Sequence, residues 1–197
     1  MSKIRLYGST SGYVELAAPD VSPDATLTLP ATSGGFGKLV AVKHALKTDT
    51  FTASVAAGAN AAVTDLSITH EVADAANRLI ITVVFGVAAN GVGQKGNVGV
   101  GVAVDGTLIA VGDDSADTKV EVSSGGIFSG TGATDVISNP SATFVYTPGA
   151  GSKTYTARAF NVSTSTATLY INRSENDSNS AFLTRGVSSL VIQEVAA

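Results

Sequence analysis

The sequence has no cysteine and no tryptophan, and charged residues make up only 14% of its 197 positions. Without cysteine the chain can form neither a disulfide nor a thiolate metal site, and it has no cysteine nucleophile. Packing alone must therefore hold the fold. Charged residues usually make up about 25% of a soluble domain, so uncharged serine and threonine side chains must supply much of the polar surface here.

The chain also lacks an excess of positive charge and a long apolar run. It carries 12 lysines and arginines against 16 aspartates and glutamates, so it offers no basic surface suited to a nucleic-acid backbone. The longest apolar stretch, 79–89, is interrupted by Thr82 and Gly86, and the first ten residues lack the apolar run of a secretory signal. We therefore expect no nucleic-acid partner and no insertion into a membrane.

What the sequence does contain is apolar residues that alternate with a period of two, in short blocks separated by turn residues. This pattern is typical of β-strands. The pair Asp105-Gly106 is the strongest hairpin signal, and 89–91, 123–126 and 148–151 are further turn signals. The predicted strands are 39–48, 51–55, 62–70, 78–87, 98–104, 107–111, 119–122, 141–146, 153–161, 167–172 and 187–195.

Two of these strands carry more specific predictions. In the run that starts at Leu39, we expect one face to be the core face, and its members are Val40, Val42, His44 and Leu46. The run RLIITVVFGV is apolar at both parities, so we expect one face to meet the second sheet and the other to meet a neighbouring subunit. The candidate residues of this core and subunit-contact strand are Leu79, Ile81, Val83, Val84 and Phe85.

About ten short strands without a βαβ alternation predict an all-β fold, an antiparallel β-sandwich of jelly-roll type over residues 38–197. An up-and-down barrel is the alternative. Only 69–76 offers a plausible helical turn.

Residues 1–32 differ from this body and predict an extended attachment arm. They hold three of the five prolines and only short extended pieces, which cannot assemble a core of their own. The glycine-rich segment 33–37 is the predicted joint between arm and body. The candidate anchoring residues are Ile4, Leu6, Tyr7, Tyr13, Val14, Leu16, Leu27 and Leu29.

Glycine-rich and acidic segments are the candidates for phosphate and metal binding in this sequence. Residues 91–96 spell GxGxxG, but the next residues alternate like a strand, so the helix that would bind a pyrophosphate is missing and a hairpin loop is favoured. Acidic residues gather at 113–117 and 175–177 without EF-hand spacing, so we interpret Asp113, Asp114, Asp117, Glu175 and Asp177 as solvated turn residues. We predict no metal site and no cofactor.

No catalytic constellation is evident either. His44 and His70 are the only histidines, and neither a GxSxG nor an HExxH motif occurs. Carboxylates that could cleave glycosides cannot be paired from sequence, and 6% aromatic residues without tryptophan give a depolymerase no support. The glycosylation sequons at Asn161 and Asn172 are interpreted as chance matches.

Several blocks in a fixed order nevertheless resemble a known family. They are KLVAVKHALKTDTFTASV, VTDLSITHE, NRLIITVVFGV, VAVDGTLIAVGD, SATFVYTPGAGSKTYTARA, ATLYINRSENDS and RGVSSLVIQEVA. Together they resemble a domain of tailed-phage virion proteins, especially those of cyanophages, described as tail fibres, receptor-binding proteins or capsid-surface fibres and decorations. The segment RLYGSTSGYVELAAPDVSPDATLTLPATSGG resembles an arm found near the start of cyanophage structural proteins.

The resemblance implies a homotrimer of jelly-roll bodies with no cofactor and no enzyme activity, assembled in the host cytoplasm and located on the virion surface. Two functions remain open. In the first, the chain is a capsid decoration or short fibre whose arm binds a major capsid or tail protein. In the second, the body is a tail-fibre tip that recognises a host-surface glycan or protein.

Overall fold

Every regular element in the described part of the chain is a β-strand. The computed structural model describes residues 3–7, 12–17, 39–91, 97–113, 119–127, 137–181 and 183–197. Within these ranges there is no helix, and so none that could cross a membrane. The chain divides into two compact units, Met1–Phe36 and Gly37–Ala197.

The described part of the first unit is an antiparallel pair of short strands. Strand β1 (Lys3–Tyr7) pairs with β2 (Tyr13–Ala17), so that Tyr7 lies opposite Tyr13 at the turn end. The guanidinium of Arg5 lies 4.6 Å from the centre of the Tyr13 ring. Six of the candidate anchoring residues lie on these strands, namely Ile4, Leu6, Tyr7, Tyr13, Val14 and Leu16, whereas Leu27 and Leu29 lie outside the described residues.

The second unit contains the remaining strands. They are β3 (Leu39–Lys47), β4 (Phe51–Val55), β5 (Asn60–Val72), β6 (Arg78–Val84), β7 (Val87–Gly91), β8 (Asn97–Val104), β9 (Thr107–Ile109), β10 (Ser124–Ile127), β11 (Ser141–Tyr146), β12 (Gly151–Asn161), β13 (Ala167–Ile171) and β14 (Ser188–Val195). All of the strand pairings between described residues of this unit are antiparallel.

The strand order is that of a jelly roll. One sheet has the order β11-β6-β14-β3, and the other has the order β10-β8-β12-β5 with β9 on β8. A third sheet, β4-β13-β7, is a continuation of the first sheet. In it, β4 continues β3, β7 continues β6, and β13 lies in line with β14. Strands β9 and β10 likewise follow one another along the same side of β8. With each of these four interrupted strands counted once, the eight strands follow the chain orders 1-8-3-6 and 2-7-4-5, so the predicted jelly-roll sandwich is confirmed.

The core lies between the two main sheets and is lined by alternate residues of each strand. Along β6, the side chains of Leu79, Ile81 and Val83 are fully buried, and so is the following Phe85. Val84 points to the other side of the sheet, where it is half-buried. The odd-numbered residues of this strand therefore belong to the core, and its even-numbered residues lie on the outer side of the sheet.

The predicted core face of β3 is wrong. Val42, His44 and Leu46 are exposed, and so is Val40, whereas Ala45 packs against the core. The reason lies in the register with β14, where Ala45 is opposite the buried Leu190. Residues that face each other across a ladder share one side of the sheet, so pairing with β14 turns the even-numbered residues of β3 outward.

Three local predictions also fail. The expected helical turn at 69–76 is instead the end of β5 followed by a turn, because Thr69 and Glu71 pair with β12. The expected turn at 89–91 lies inside β7, which pairs with β13. The expected strand at 119–122 is not a strand, and pairing with β8 starts only at Ser124, within the segment predicted as a turn.

The Asp105-Gly106 hairpin is confirmed. Asp105 and Gly106 have φ angles of 49° and 89°, and they connect β8 to β9 with Val104 opposite Thr107. Two successive positive φ angles are the conformation of a type I′ turn, which matches the twist of the strands it joins.

Candidate functional site

Asn172 forms a fully buried polar junction where the strands of the first sheet are interrupted. It follows β13, has a φ of 61°, and is 0% exposed. Its Nδ2 donates hydrogen bonds to the carbonyl oxygens of Lys47 at 2.8 Å and Asp49 at 2.9 Å. Its Oδ1 accepts one from the Ser188 hydroxyl at 2.6 Å. One side chain thus links the end of β3, the end of β13 and the start of β14.

The backbone of the same junction binds the third interrupted strand. The amide of Asn172 donates to the carbonyl of Gly86 at 2.6 Å, and the amide of Gly186 donates to the carbonyl of Asn172 at 3.0 Å. A Cβ atom on Gly86 would lie 3.4 Å from the Cα atom of Gly186. The segments that contain Gly86 and Gly186 therefore pass close to each other at this junction.

Asn161 forms a second buried junction at the end of β12. Its Nδ2 donates to the carbonyls of Val55, Ala56 and Ser165, at 2.8, 3.1 and 2.8 Å. Its Oδ1 accepts hydrogen bonds from the amide and the hydroxyl of Ser163. The asparagines of both sequons are 0% exposed and bind backbone groups, so each has a structural role in the folded chain.

A buried carboxylate is the third polar centre. Glu194, on the inward face of β14, has Oε2 at 2.7 Å from Nε2 of His70. Its Oε1 accepts hydrogen bonds from Asn77 Nδ2 at 2.6 Å and from the Ala73 amide at 3.0 Å. His70, Asn77 and Glu194 are all buried. The contacts connect β14 to the end of β5 and to the turn that follows it.

These hydrogen bonds determine the charge state of Glu194. Burial by itself raises the pKa of a carboxyl group, but donation from Asn77, Ala73 and His70 lowers it by more, so the pKa of Glu194 lies below its ordinary value. The group is thus an ionised carboxylate, and its hydrogen-bond partners are the side chains of His70 and Asn77 and the backbone amide of Ala73. We find no nucleophile within this cluster among the described residues, and its geometry is that of a structural clamp.

A buried lysine lies at the end of β3, the edge strand of the first sheet. Lys47 is 2% exposed, and its ammonium lies 2.9 Å from Asp49 Oδ2 and 3.5 Å from Asp65 Oδ2. The hydrogen bond from Lys47 holds the pKa of Asp49 below its ordinary value. Asp65 has a φ of 65°, at the register shift between β5 and β12.

The acidic cluster at 175–177 is engaged in contacts within its own segment and with β7. Asp177 lies 3.1 Å from Arg173 and 2.6 Å from Arg185, while Glu175 accepts a hydrogen bond from the Asn90 side chain. The Arg173 guanidinium also covers the Tyr170 ring at 4.8 Å. Among the described residues, no group of three or more potential metal ligands is present.

The same segment encloses a shallow polar depression of about 280 Å³. Its lining consists of Asp177, Ser178, Asn179, Ser180, Leu183, Thr184 and Arg185. Hydroxyl, amide, carboxylate and guanidinium groups line this depression.

The remaining predicted motifs are not brought together. Asp113 is exposed, and Asp114 and Asp117 lie outside the described residues. The GxGxxG motif begins with Gly91 at the end of β7, and its other residues, 92–96, also lie outside them. The strand that follows the motif, β8, starts at Asn97 as predicted within one residue.

Several exposed apolar side chains lie on the outward side of the first sheet. We define the outer apolar face as the outward residues of β3, β14, β6 and β11. Its apolar members are Val42, Leu46, Ile80, Val84, Val145, Val191 and Val195. Val42, Leu46 and Val145 are 50, 57 and 61% exposed. Such a concentration of exposed aliphatic side chains is uncommon on a monomeric soluble protein.

Comparisons with known proteins add little to this picture. No protein-family model and no curated protein matches the sequence. Among solved structures, a chain from the structure of the infectious bursal disease virus Gx strain is similar at 13% identity and a TM-score of 0.35. The match covers 95% of this chain and 48% of that chain, so this chain spans about half the length of its neighbour.

Sequence reasoning missed the polar junctions at Asn161, Asn172 and Glu194. A signal was present, because each asparagine ends an alternating apolar strand, and Glu194 occupies an inward position between apolar neighbours on β14. A polar residue at a position that the alternation assigns to the core must find buried partners.

Proposed function

We propose that this chain is a structural protein of a tailed-phage virion, a capsid decoration or short fibre without enzyme activity. Its body, residues 38–197, would project outward as a homotrimer. Residues 1–32 would fasten it to a major capsid or tail protein. The ordered blocks that resemble phage virion proteins support this proposal, and the jelly-roll topology agrees with the fold that the resemblance implies.

The proposal rests most heavily on the arm unit. Its described structure is one hairpin of two five-residue strands, and an isolated hairpin of this size is marginally stable in water. Such a unit has a sheet edge on either side that can accept a partner strand. Main-chain hydrogen bonds and a few apolar pockets would then provide the attachment.

Virions assembled with variant chains test the anchoring role. Val14 lies opposite Leu6 in the hairpin, so Val14→Pro or Leu6→Asp should sharply reduce the number of copies per particle. Lys3→Ala and Glu15→Ala, on the same two strands, should leave occupancy unchanged. Particles that carry the proline variant at full occupancy would refute an anchor at residues 1–32. Counting wild-type copies separates capsid decoration, with hundreds, from a tail fibre, with few.

One observation favours the second candidate, a receptor-binding tip. The depression between Asp177 and Arg185 presents hydroxyl and amide side chains, which can hydrogen-bond the hydroxyl groups of a glycan. Binding of host-surface polysaccharide to the purified chain, measured by calorimetry and lost in Asn179→Ala, would support this function. Absence of binding would leave the decoration proposal in place.

A further inference from the structure

The outer apolar face carries almost no charge. Arg78, at the corner of the sheet, is exposed, but the other outward positions of the four strands hold no aspartate, glutamate, lysine or arginine. Those positions are Val42, His44, Leu46, Ile80, Thr82, Val84, Ser141, Thr143, Val145, Ser189, Val191, Gln193 and Val195. The chain as a whole has a net charge of −4, and a face without acidic residues lets two identical copies meet without repulsion between facing carboxylates.

Two hydroxyl groups in the middle of the face are already paired with each other. The hydroxyls of Thr82 and Thr143, on neighbouring strands, lie 3.0 Å apart and share a hydrogen bond. Because these hydroxyls bind each other, removing them from water costs less than burying unpaired groups. The centre of the sheet can therefore be covered by an apolar partner surface.

The β3 edge of this sheet is protected against strand addition, which favours contact through the face. Lys43 and Lys47 lie on the inward side of the edge strand β3, opposite to Val42 and Leu46. Inward-pointing charges on an edge strand are a known means of blocking edge-to-edge pairing. A partner would thus pack on the flat side of the sheet instead of extending it.

The size of the face suits the centre of a stable interface. Four strands spaced about 4.8 Å apart and about seven residues long cover on the order of 450 Å² of flat sheet. A standard interface buries about 800 Å² on each partner, with an apolar centre and a polar rim. The face supplies about half of that area, and the strand ends around it can supply the rim.

We propose that the outer apolar face is the contact surface between copies of this chain. The inference rests on the proposed function, in which the body is a homotrimer, and it specifies which surface joins the subunits. The occupant of the face is a second copy of the chain, packed against the aliphatic residues of β3, β6 and β14.

The test is sedimentation of the full chain over a range of micromolar concentrations. Wild-type protein should sediment as an oligomer of the 19.7 kDa chain. Val42→Glu and Leu46→Glu should weaken self-association by about 100-fold or more, because each places an unpaired carboxylate in a desolvated contact. Both positions are exposed in the subunit, so the thermal melting of the variants should stay close to wild type.

Thr64→Glu is the matched control, since Thr64 is an exposed residue of similar size on β5 in the opposite sheet. It should leave the oligomer intact. A wild-type oligomer that resists both Val42→Glu and Leu46→Glu would overturn this inference and leave the proposed virion function standing. A wild-type monomer at all concentrations would overturn both the contact surface and the trimer.

Discussion

Oε2 of Glu194 lies 2.7 Å from Nε2 of His70, and the two side chains come from different sheets and are buried together. This contact joins β14 of one sheet to β5 of the other through polar groups inside an otherwise aliphatic core. Its strength depends on the ionised state of Glu194, because every partner acts as a donor to the carboxylate or lies close to it.

Stability should therefore fall at acid pH through Glu194. Its pKa in the folded state lies below the value of about 4.3 expected in the unfolded chain, so the carboxylate stabilises the fold above that pH. The contribution is lost as pH falls through the folded-state pKa. Glu194→Gln should lower stability by about 1–3 kcal/mol at neutral pH and flatten the acid side of the profile.

Urea unfolding at a series of pH values measures this effect. Glu71→Gln, at an exposed position of β5, is the control and should leave the neutral-pH stability within about 0.5 kcal/mol of wild type. If Glu194→Gln kept the full acid dependence of the wild type, the assignment to Glu194 would be wrong.

The Asn172 junction should be among the most sensitive positions of the body. Asn172→Ala removes the donor to the Lys47 and Asp49 carbonyls and the acceptor for Ser188, and leaves these groups buried without it. We expect a loss of about 2–4 kcal/mol. Alanine also disfavours the φ of 61°, so Asn172→Gly, which tolerates that angle, should be less damaging than alanine.

Thermal melting checks this expectation, since about 1 kcal/mol shifts the melting temperature of a domain this large by about 2–4 °C. Asn179→Ala, an exposed asparagine of the same segment, should melt like the wild type. Equal melting of Asn172→Ala and Asn179→Ala would show that the junction contributes nothing to stability.

The sequence predicts the fold class better than it predicts the faces of the strands. Period-two patterns place β4 and β11 correctly because turn residues mark both ends of each strand. In β3, alanine, valine, lysine and histidine alternate without a clear polar side, and pairing with β14 determines which side is buried. Because β3 and β14 are more than a hundred residues apart in the chain, the local sequence of β3 carries no signal of this pairing.

The polar junctions could be located only in part. An asparagine after an apolar strand indicates a special position, but its acceptors at Val55 or Lys47 lie far away in sequence. Only the folded jelly roll brings them within hydrogen-bond distance. The outer apolar face was foreseen for β6 from its two apolar parities, yet its extension over Val42 and Leu46 depends on the register that the structure provides.

Two glycines of β8 should not tolerate alanine. A Cβ atom on Gly99 would lie 2.4 Å from Cγ1 of Val122, and one on Gly101 would lie 2.9 Å from the Phe160 ring. Neighbouring side chains would have to move, so each alanine variant should lose about 1–3 kcal/mol. Gly125, directly opposite Gly99 on β10, has open space and is the control.

Chemical denaturation of the three variants measures the difference. Gly125→Ala should change stability by no more than about 0.5 kcal/mol, since no atom obstructs its side chain. Identical destabilisation at Gly99 and Gly125 would indicate that strand propensity, and not packing against Val122, limits this sheet.

Adjacent residues at the end of β6 should respond to the same substitution in opposite ways. Phe85 is fully buried in the core, so Phe85→Asp both removes a large apolar side chain and buries an unpaired carboxylate, and the chain should fail to fold. Val84 lies on the outer apolar face, opposite Ser141 and Ser189. Val84→Asp should therefore give a folded chain whose self-association is weakened.

Circular dichroism and sedimentation on both variants separate these effects. Folded, monomeric Val84→Asp beside unfolded Phe85→Asp would show that one parity of β6 builds the subunit and the other joins subunits. Val84→Asp that assembles like the wild type would remove β6 from the contact surface. A folded Phe85→Asp chain would contradict the position of Phe85 in the core, because a domain of this size cannot absorb a buried, unpaired carboxylate without a large loss of stability.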